Sequence, residues 1–472
     1  MTDFPTTPAV QEPEATVVSQ LAAAVQAGLP VAIAELGRLV RIPSVSWDGF
    51  DSDEVQNSAE AVRELLEALN FFDSVEISRA PIDDKRLGQP AVLATRAARN
   101  GRPTILLYAH HDVQPPGDPQ HWESAPFEPT VRGDRLYGRG AADDKAGVAA
   151  HISAIRAVIK VIGEEMDLGV VVFIEGEEEF GSRSFGAFLT QHRSQLNADV
   201  IVIADSDNWN AATPSLTVGL RGNVTFKLRV STLGHAVHSG MFGGAAPDAM
   251  LATIALLATM HDADGAVAVA GLHSRQAPLP DYEPARLIED AALLDGVTPI
   301  GRGPVLSRLW NQPAITVTGI DAPTVVNASN TLVPSVTVKL SARVAPGQSA
   351  ADAFIAIEAH LYKHAPFGAH LEFMDIDRGD PFLVDTTGWA VDAAKAAMTA
   401  GWGVEPIETG IGGSIPFISQ LAEEFPAAQI LITGVEDPDS RAHSPNESLH
   451  LGVFRRAILS EAILLEKLNR RA

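Results

Sequence analysis

The sequence predicts an α/β protein in which a mostly parallel sheet, flanked by helices, is interrupted by an inserted α+β domain. Three observations predict it. Apolar runs at Thr104 to Ala109, Val170 to Ile174, Val200 to Ala204 and Gln429 to Thr433 have the length and composition of parallel strands buried on both faces. Helical patterns alternate with these runs, which is the rhythm of crossover units. From Leu216 the period changes to two residues: Val224, Phe226, Leu228 and Val230 alternate with Thr225, Lys227 and Arg229. Val336, Val338, Leu340 and Ala342 likewise alternate with Thr337, Lys339, Ser341 and Arg343, so both segments read as strands with one wet face. The expected boundaries are a tail at 1–14, a main domain at 15–215 and 381–472, and the insertion at 216–380.

Taken in order, Met1 to Glu14 carries Pro, Thr and acids without the basic start or apolar centre of a signal peptide. A flexible tail and cytoplasmic residence are expected. Leu21, Val25, Val31, Ile33, Leu36 and Val40 recur at helical spacing, with Gly28-Leu29-Pro30 expected to split them into two helices. Pro43 ends the second, because it pushes its predecessor out of the helical region. A helix at Ala59 to Leu69 and strands near Val75 to Ile77 and Ala91 to Ala94 follow, then a helix at Lys145 to Ile162. Inside the insertion, helices are expected at Pro247 to His261 and Ser349 to His364, while Gly271 to Pro313, rich in Pro, Gly and charge, receives no assignment. After Pro381 come helices near Trp389 to Ala400, Ile415 to Glu424 and Gly452 to Leu468.

Bulk composition excludes several classes. A length of 472 residues suggests two or three domains. Lys and Arg number 35 against 59 Asp and Glu, a formal charge of −24 that disfavours a nucleic-acid partner. No uninterrupted apolar run reaches about 18 residues, so no membrane span is expected. The absence of cysteine excludes disulfides, thiolate metal sites and a cysteine nucleophile. No Gly-x-Ser-x-Gly elbow supports a serine hydrolase.

The chemistry-bearing residues stand where the apolar runs end. His110-His111-Asp112, Glu178-Glu179, Asp205 and His443 each follow a run, and Asp143-Asp144 opens the Lys145 helix after a glycine-rich turn, Gly138-Arg139-Gly140. Open α/β sheets bind ligands at such strand ends. Each motif has a plainer reading alone: a loop or core His-x-Asp pair, acids complementing a helix dipole, a solvated run of glutamates. Together they form the imidazole and carboxylate inventory of a two-metal hydrolytic site. Two divalent ions bring four positive charges; Asp143, Glu179 and Asp205 return three, leaving one for the attacking hydroxide, with His110 and His443 neutral. Glu178, beside a ligand, is then free to act as general base. Asp207 rivals Asp205, but Asp205 directly follows its strand.

These segments resemble the M20 family of metallopeptidases, its dipeptidase branch above all, from Val17 to the end. The resemblance is carried by Arg41-Ile42-Pro43-Ser44-Val45-Ser46, Tyr108 to Pro115, Gly138 to Lys145, Glu178-Glu179, Gly219-Leu220-Arg221-Gly222, His238-Ser239-Gly240, Gly412-Gly413-Ser414-Ile415-Pro416 and Ala442-His443-Ser444-x-Asn446-Glu447, all in order. It implies a zinc-peptidase-like catalytic domain with a lid and dimerisation domain inserted, and hydrolysis of dipeptides. The alternative within the family is an N-acyl-amino-acid deacylase or metallocarboxypeptidase. The implied cofactors are two divalent ions, zinc first, with manganese or cobalt also accepted by such donors.

Carried over residue by residue, the resemblance implies His110 and His443 as terminal ligands on different metals, Asp143 as the bridge, Glu179 and Asp205 as the other ligands and Glu178 as base. Asp112 would orient His110, and the peptide bond after Asp143 would be cis. His238 would reach the partner subunit's site and stabilise the oxyanion, which implies a homodimer formed through the inserted domain. Arg343, Asn330 and Ser414 would hold the substrate's terminal carboxylate and nearby polar groups. Gly410 and Ile411 depart from the family, where relatives often carry an Arg-Glu pair. His111, Glu177 and Asp144 stand beside matched residues without an implied role.

Overall fold

The four apolar runs become neighbouring parallel strands in the computed structural model, which describes residues 15–413 and 416–471. Their order across the sheet is Gly169–Glu175, Thr104–His110, Val200–Ile203 and Gln429–Ile432. Nearly every residue in them is buried, which is why they read as continuous apolar runs. Antiparallel strands extend both sides. Ala91–Arg96 and then Ser74–Ser78 lie beyond Gly169–Glu175, and Ser215–Leu220 pairs with Gln429–Ile432 on the other side. All parallel strands end at the same edge, which gathers their following loops.

The described chain divides into two compact units: Met1–Val218 with Val384–Thr409 and Gln420–Ala472, and Gly219–Leu383 with Gly410–Ser419. The expected tail at 1–14 lies outside the described residues. In the first unit the helices Ala15–Val40, Lys145–Ile162 and Leu451–Arg470 pack on one another, and Trp389–Trp402 packs on Leu451–Arg470. The Arg156 guanidinium meets both oxygens of Glu35 at 2.9 Å, adding a fixed contact between the first two.

The expected split at Gly28-Leu29-Pro30 does not occur, because Ala15–Val40 is one helix with Pro30 inside it. Pro30 and Gln26 are exposed, so the carbonyl that proline deprives of a donor can be hydrated. Leu21 and Val25 before the proline and Leu36, Leu39 and Val40 after it are buried, and this packing holds the helix together across it. The stretch Thr16–Val40 is also long and apolar enough, by length and composition, to cross a membrane. The expectation of no such segment rested on uninterrupted runs, which Ser19, Gln20 and Gln26 break in this helix.

The second unit is built on a four-stranded antiparallel sheet in the order Ala314–Asp321, Ser335–Val344, Gly222–Ser231 and His370–Gly379. The two strands with strict alternation are its centre. Their inward residues, among them Phe226, Leu228, Val338 and Leu340, form a core with Leu256, Phe354, Ile357 and Leu361 from the helices Ala249–Ala258 and Ala350–His364. The two outer strands were not expected from the sequence. Being edges with mostly half-buried or exposed residues, they carry little apolar alternation.

Candidate metal centre

The sheet edge places the acid and imidazole groups of the first unit in two clusters, His110 with Glu178 and Asp205, and Asp143 with Glu179 and His443. Within each, the candidate ligand atoms lie within 4.8 Å of one another. His110 is the last residue of its strand, and Asp205 follows the Val200–Ile203 strand. Glu178 and Glu179 occupy a short 3-10 turn closed by Gly181, whose φ of 85° is the left-handed conformation that glycine adopts without a side-chain clash.

Asp143 joins the clusters. Its Oδ1 lies 3.2 Å from His110 Nε2 and its Oδ2 lies 2.9 Å from His443 Nε2. His110 Nε2 also faces Asp205 at 3.9 Å and Glu178 at 4.0 Å, while His443 Nε2 faces Glu179 at 3.3 Å. The peptide bond Asp143-Asp144 is cis.

Asp112 organises three of these groups. Its backbone carbonyl lies 3.1 Å from His110 Nδ1, and its carboxylate accepts the N–H of Glu178 and of Glu179, each at 3.1 Å. Ser46 donates to the same carboxylate at 2.6 Å, which gives the Arg41 to Ser46 segment a structural purpose. With its Nδ1 N–H donating to the Asp112 carbonyl, His110 presents a lone pair at Nε2. That atom is buried and has no hydrogen-bond partner among the described residues, although three carboxylates surround it. A lone pair facing anions needs a proton or a cation between them, so the donor set fits two divalent metal ions.

Electrostatics agree with this reading. Burial and the neighbouring Asp205 charge push the Glu178 carboxyl well above its ordinary range. Burial, with the Asp143 charge, raises Glu179 to about 7; burial raises Asp205 to about 6, the Asp143 charge adding to it against the opposing pull of His110. Burial also works against ionisation of Asp143, but the His110 and His443 imidazoles beside it outweigh that and hold its carboxyl below its ordinary value. Hydrogen bonds with Asp143 and Glu179 raise His443 to about 11. Protonated imidazoles thus supply positive charge that bound metal would supply instead.

The residues without an implied role are structural. His111 Nε2 contacts the Pro90 carbonyl at 2.8 Å, and burial lowers its pKa to about 4, so it stays neutral. Glu177 accepts from the backbone N–H of Ser184 and Gln89, and Asp144 caps the Lys145 helix through Gly147 N–H. Asp207 is exposed and belongs to neither cluster. Two further groups stand beside the clusters without a role expected from the sequence. Gln114 holds Glu179 through its backbone N–H at 3.1 Å and its side-chain amide at 2.7 Å. Glu436 feels the charges of Asp143, Asp207 and Asp205, and burial first, then those charges, push its carboxyl well up. It lies just past the end of the Gln429–Ile432 strand, so the same strand-end rule would have found it.

The remaining candidates belong to the second unit. His238 and Asn330 are neighbours there: His238 pairs with Thr331 across a short ladder, and Ser239 N–H donates to the Asn330 carbonyl at 3.0 Å. Both are exposed. Arg343 lies on the Ser335–Val344 strand, half-buried, and burial lowers its pKa. Ser414 lies outside the described residues.

Comparison with known proteins places this geometry in a family. Residues 106–467 match peptidase family M20/M25/M40. The cysteinylglycine-S-conjugate dipeptidase of Corynebacterium striatum is 34% identical over 420 residues, covering 88% of this chain and 90% of the relative. The Cys-Gly metallodipeptidase of Candida albicans is 28% identical, covering 90% and 92%. Among solved structures, human carnosine dipeptidase 1 shares the fold with a TM-score of 0.77 at 22% identity, over 97% of this chain and 100% of that one. The chain belongs to peptidase family M20/M25/M40.

Proposed function

We propose that this metallopeptidase hydrolyses dipeptides at a two-metal centre, with Glu178 as general base. The observation that carries the reading is the Asp143 carboxylate, which turns one oxygen to His110 and the other to His443. His110 and Asp205 would hold one ion, His443 and Glu179 the other, and Asp143 both. Bound there, the ions polarise the scissile carbonyl and lower the pKa of the attacking water. Glu178 takes a proton from that water as its oxygen adds to the carbonyl carbon. It returns the proton to the amide nitrogen as the C–N bond breaks. A carboxyl already raised by burial and by Asp205 is suited to both halves of that transfer. Asp112 keeps His110 and the Glu178-Glu179 turn in register through the proton's passage.

The insertion expected at 216–380 would act as lid and dimerisation domain. His238 would stabilise the oxyanion in the partner subunit's site, while Arg343, Asn330 and Ser414 would hold the substrate's carboxylate end. Support for a homodimer comes from the exposed edge strand Ala314–Asp321, with Val317 and Ile320 uncovered, and from the helix Ala249–Ala258, with Leu251 and Ile254 uncovered. Zinc is the first metal to test, manganese and cobalt next.

The reading is tested by amine release from dipeptides, tripeptides and N-acyl amino acids, using metal-stripped protein resupplied with zinc or manganese. Cysteinylglycine and its S-conjugates come first, since relatives are named for them. Metal-dependent cleavage confined to dipeptides is expected. Glu178→Gln should keep both metals and lose at least about 10²–10⁴-fold in turnover. Retained turnover in that variant would remove Glu178 from the mechanism.

A further inference from the structure

The segment Gly271 to Pro313, rich in Pro, Gly and charge, helps wall an open cavity of about 460 Å³ within the second unit. That volume suits a small molecule. None of its lining residues belongs to the two acid and histidine clusters. Leu287, Val297, Ile300, Val305, Leu309 and Ile315 form its apolar wall. Val297 and Ile300 remain 50% and 69% exposed, so apolar surface stays uncovered that a ligand could bury.

The polar side of the cavity has one sign. Arg221 lines it and is only 7% exposed, yet its hydrogen bonds go to backbone carbonyls, of Gly412 at 3.0 Å, Arg308 at 3.2 Å and Gln312 at 3.3 Å. Its Nη2 makes no hydrogen bond among the described residues, and no carboxylate there pairs with it. Burial, with the nearby Arg343 charge, lowers its pKa to about 10. A buried cation without a counter-ion is costly unless something anionic arrives. Arg308 lines the same wall; its Nη1 donates to the Ile300 carbonyl, while its Nε is buried without a hydrogen-bond partner among the described residues. Among the described residues no Asp or Glu lines the cavity, in a chain where they outnumber Lys and Arg by 59 to 35.

Guanidinium groups bind carboxylates with charge-assisted hydrogen bonds. An ammonium group would meet two like charges and no acceptor of opposite sign. Zwitterionic amino acids and dipeptides, the products and substrates of the proposed reaction, are therefore poor fits. We propose that this cavity binds an apolar monocarboxylate without a free amine, its carboxylate at Arg221 and Arg308 and its hydrocarbon against Leu287, Val297, Ile300 and Ile315.

The test is calorimetric titration of the metal-loaded full chain with 4-phenylbutanoate, 4-phenylbutylamine and 4-phenylbutanol. Saturable binding of the acid is expected, with the amine and alcohol at least about tenfold weaker. Val297→Trp, which fills the mouth, and Arg308→Met, which removes a donor, should each weaken the acid by about tenfold or more and leave dipeptide turnover within about twofold. Val297 is exposed, so its variant keeps the test valid if Arg308→Met fails to fold. Four outcomes overturn the proposal: no saturable binding at millimolar acid, as when a second copy covers the cavity; equal binding of amine or alcohol; unchanged affinity in both variants; or displacement of the acid by dipeptide, which would put it at the metal centre.

Discussion

Glu447 accepts the backbone N–H of Asp143 at 3.1 Å, and the same carboxylate takes the N–H of Ala142 at 2.9 Å and of Gly140 at 3.1 Å and the Arg139 guanidinium at 2.6 Å. One buried side chain thus holds the loop that carries Asp143, and it belongs to the segment that carries His443. Two residues of the second cluster, Asp143 and His443, are thus tied together through Glu447.

Replacing Glu447 with Gln puts an amide N–H where one oxygen accepts two donors. It should cost about 1–3 kcal/mol of stability and about 10–100-fold in metal affinity. Glu447→Ala, which strands Arg139, should cost about 3–5 kcal/mol. Urea unfolding and competition with a chromogenic chelator read the two effects separately. Lowered stability with unchanged metal affinity would assign Glu447 to the fold alone.

Removing metal should make stability depend on pH with a definite sign. Glu179 and Asp205 are raised to about 7 and about 6, so in metal-free protein their charged forms cost stability progressively as pH rises through those values. His443, raised to about 11, contributes stability that is full below its unfolded value of 6.5 and is lost as pH climbs toward 11. All three act in one direction. The melting temperature of chelator-treated protein should fall from pH 5 to pH 9, and the increase on adding zinc should widen over the same window. A zinc shift that is flat with pH would show that these groups do not hold the ion.

The parallel strands and the acid and histidine clusters at their ends were legible because period and position are written in the chain: a fully buried strand has no polar face, and the residues just after it must sit at the sheet edge. The outer strands Ala314–Asp321 and His370–Gly379 were not legible, since an edge strand needs no alternation to pair. Gln114 and Glu447 were visible as parts of motifs, but their work is hydrogen bonding to residues far along the chain, which spacing does not encode. Pro30 misled for a related reason: its local cost is real, and tertiary packing overrides it. Pro30→Ala should therefore stabilise the protein by about 1–3 kcal/mol, read by urea unfolding. No change would mean that the helix has already adapted to the ring.

The placement of His238 can be tested without a structure of the dimer. His238 lies in the second unit and Glu178 in the first, and the proposal has His238 serve the partner subunit's site. His238→Ala and Glu178→Gln should each be nearly inactive alone. When the two are mixed under conditions that exchange subunits, about half of the dimers are mixed, and one site in each pairs an intact Glu178 with an intact His238 from the other chain. Activity should then return to about a quarter of the wild-type rate. If His238 served its own chain, no site in any dimer would have both groups and nothing would return. Leu251→Glu combined with Ile320→Lys places charge on both uncovered surfaces and should yield monomers by sedimentation, with turnover reduced as far as in His238→Ala. A fully active monomer would contradict both the interface and the exchange of His238.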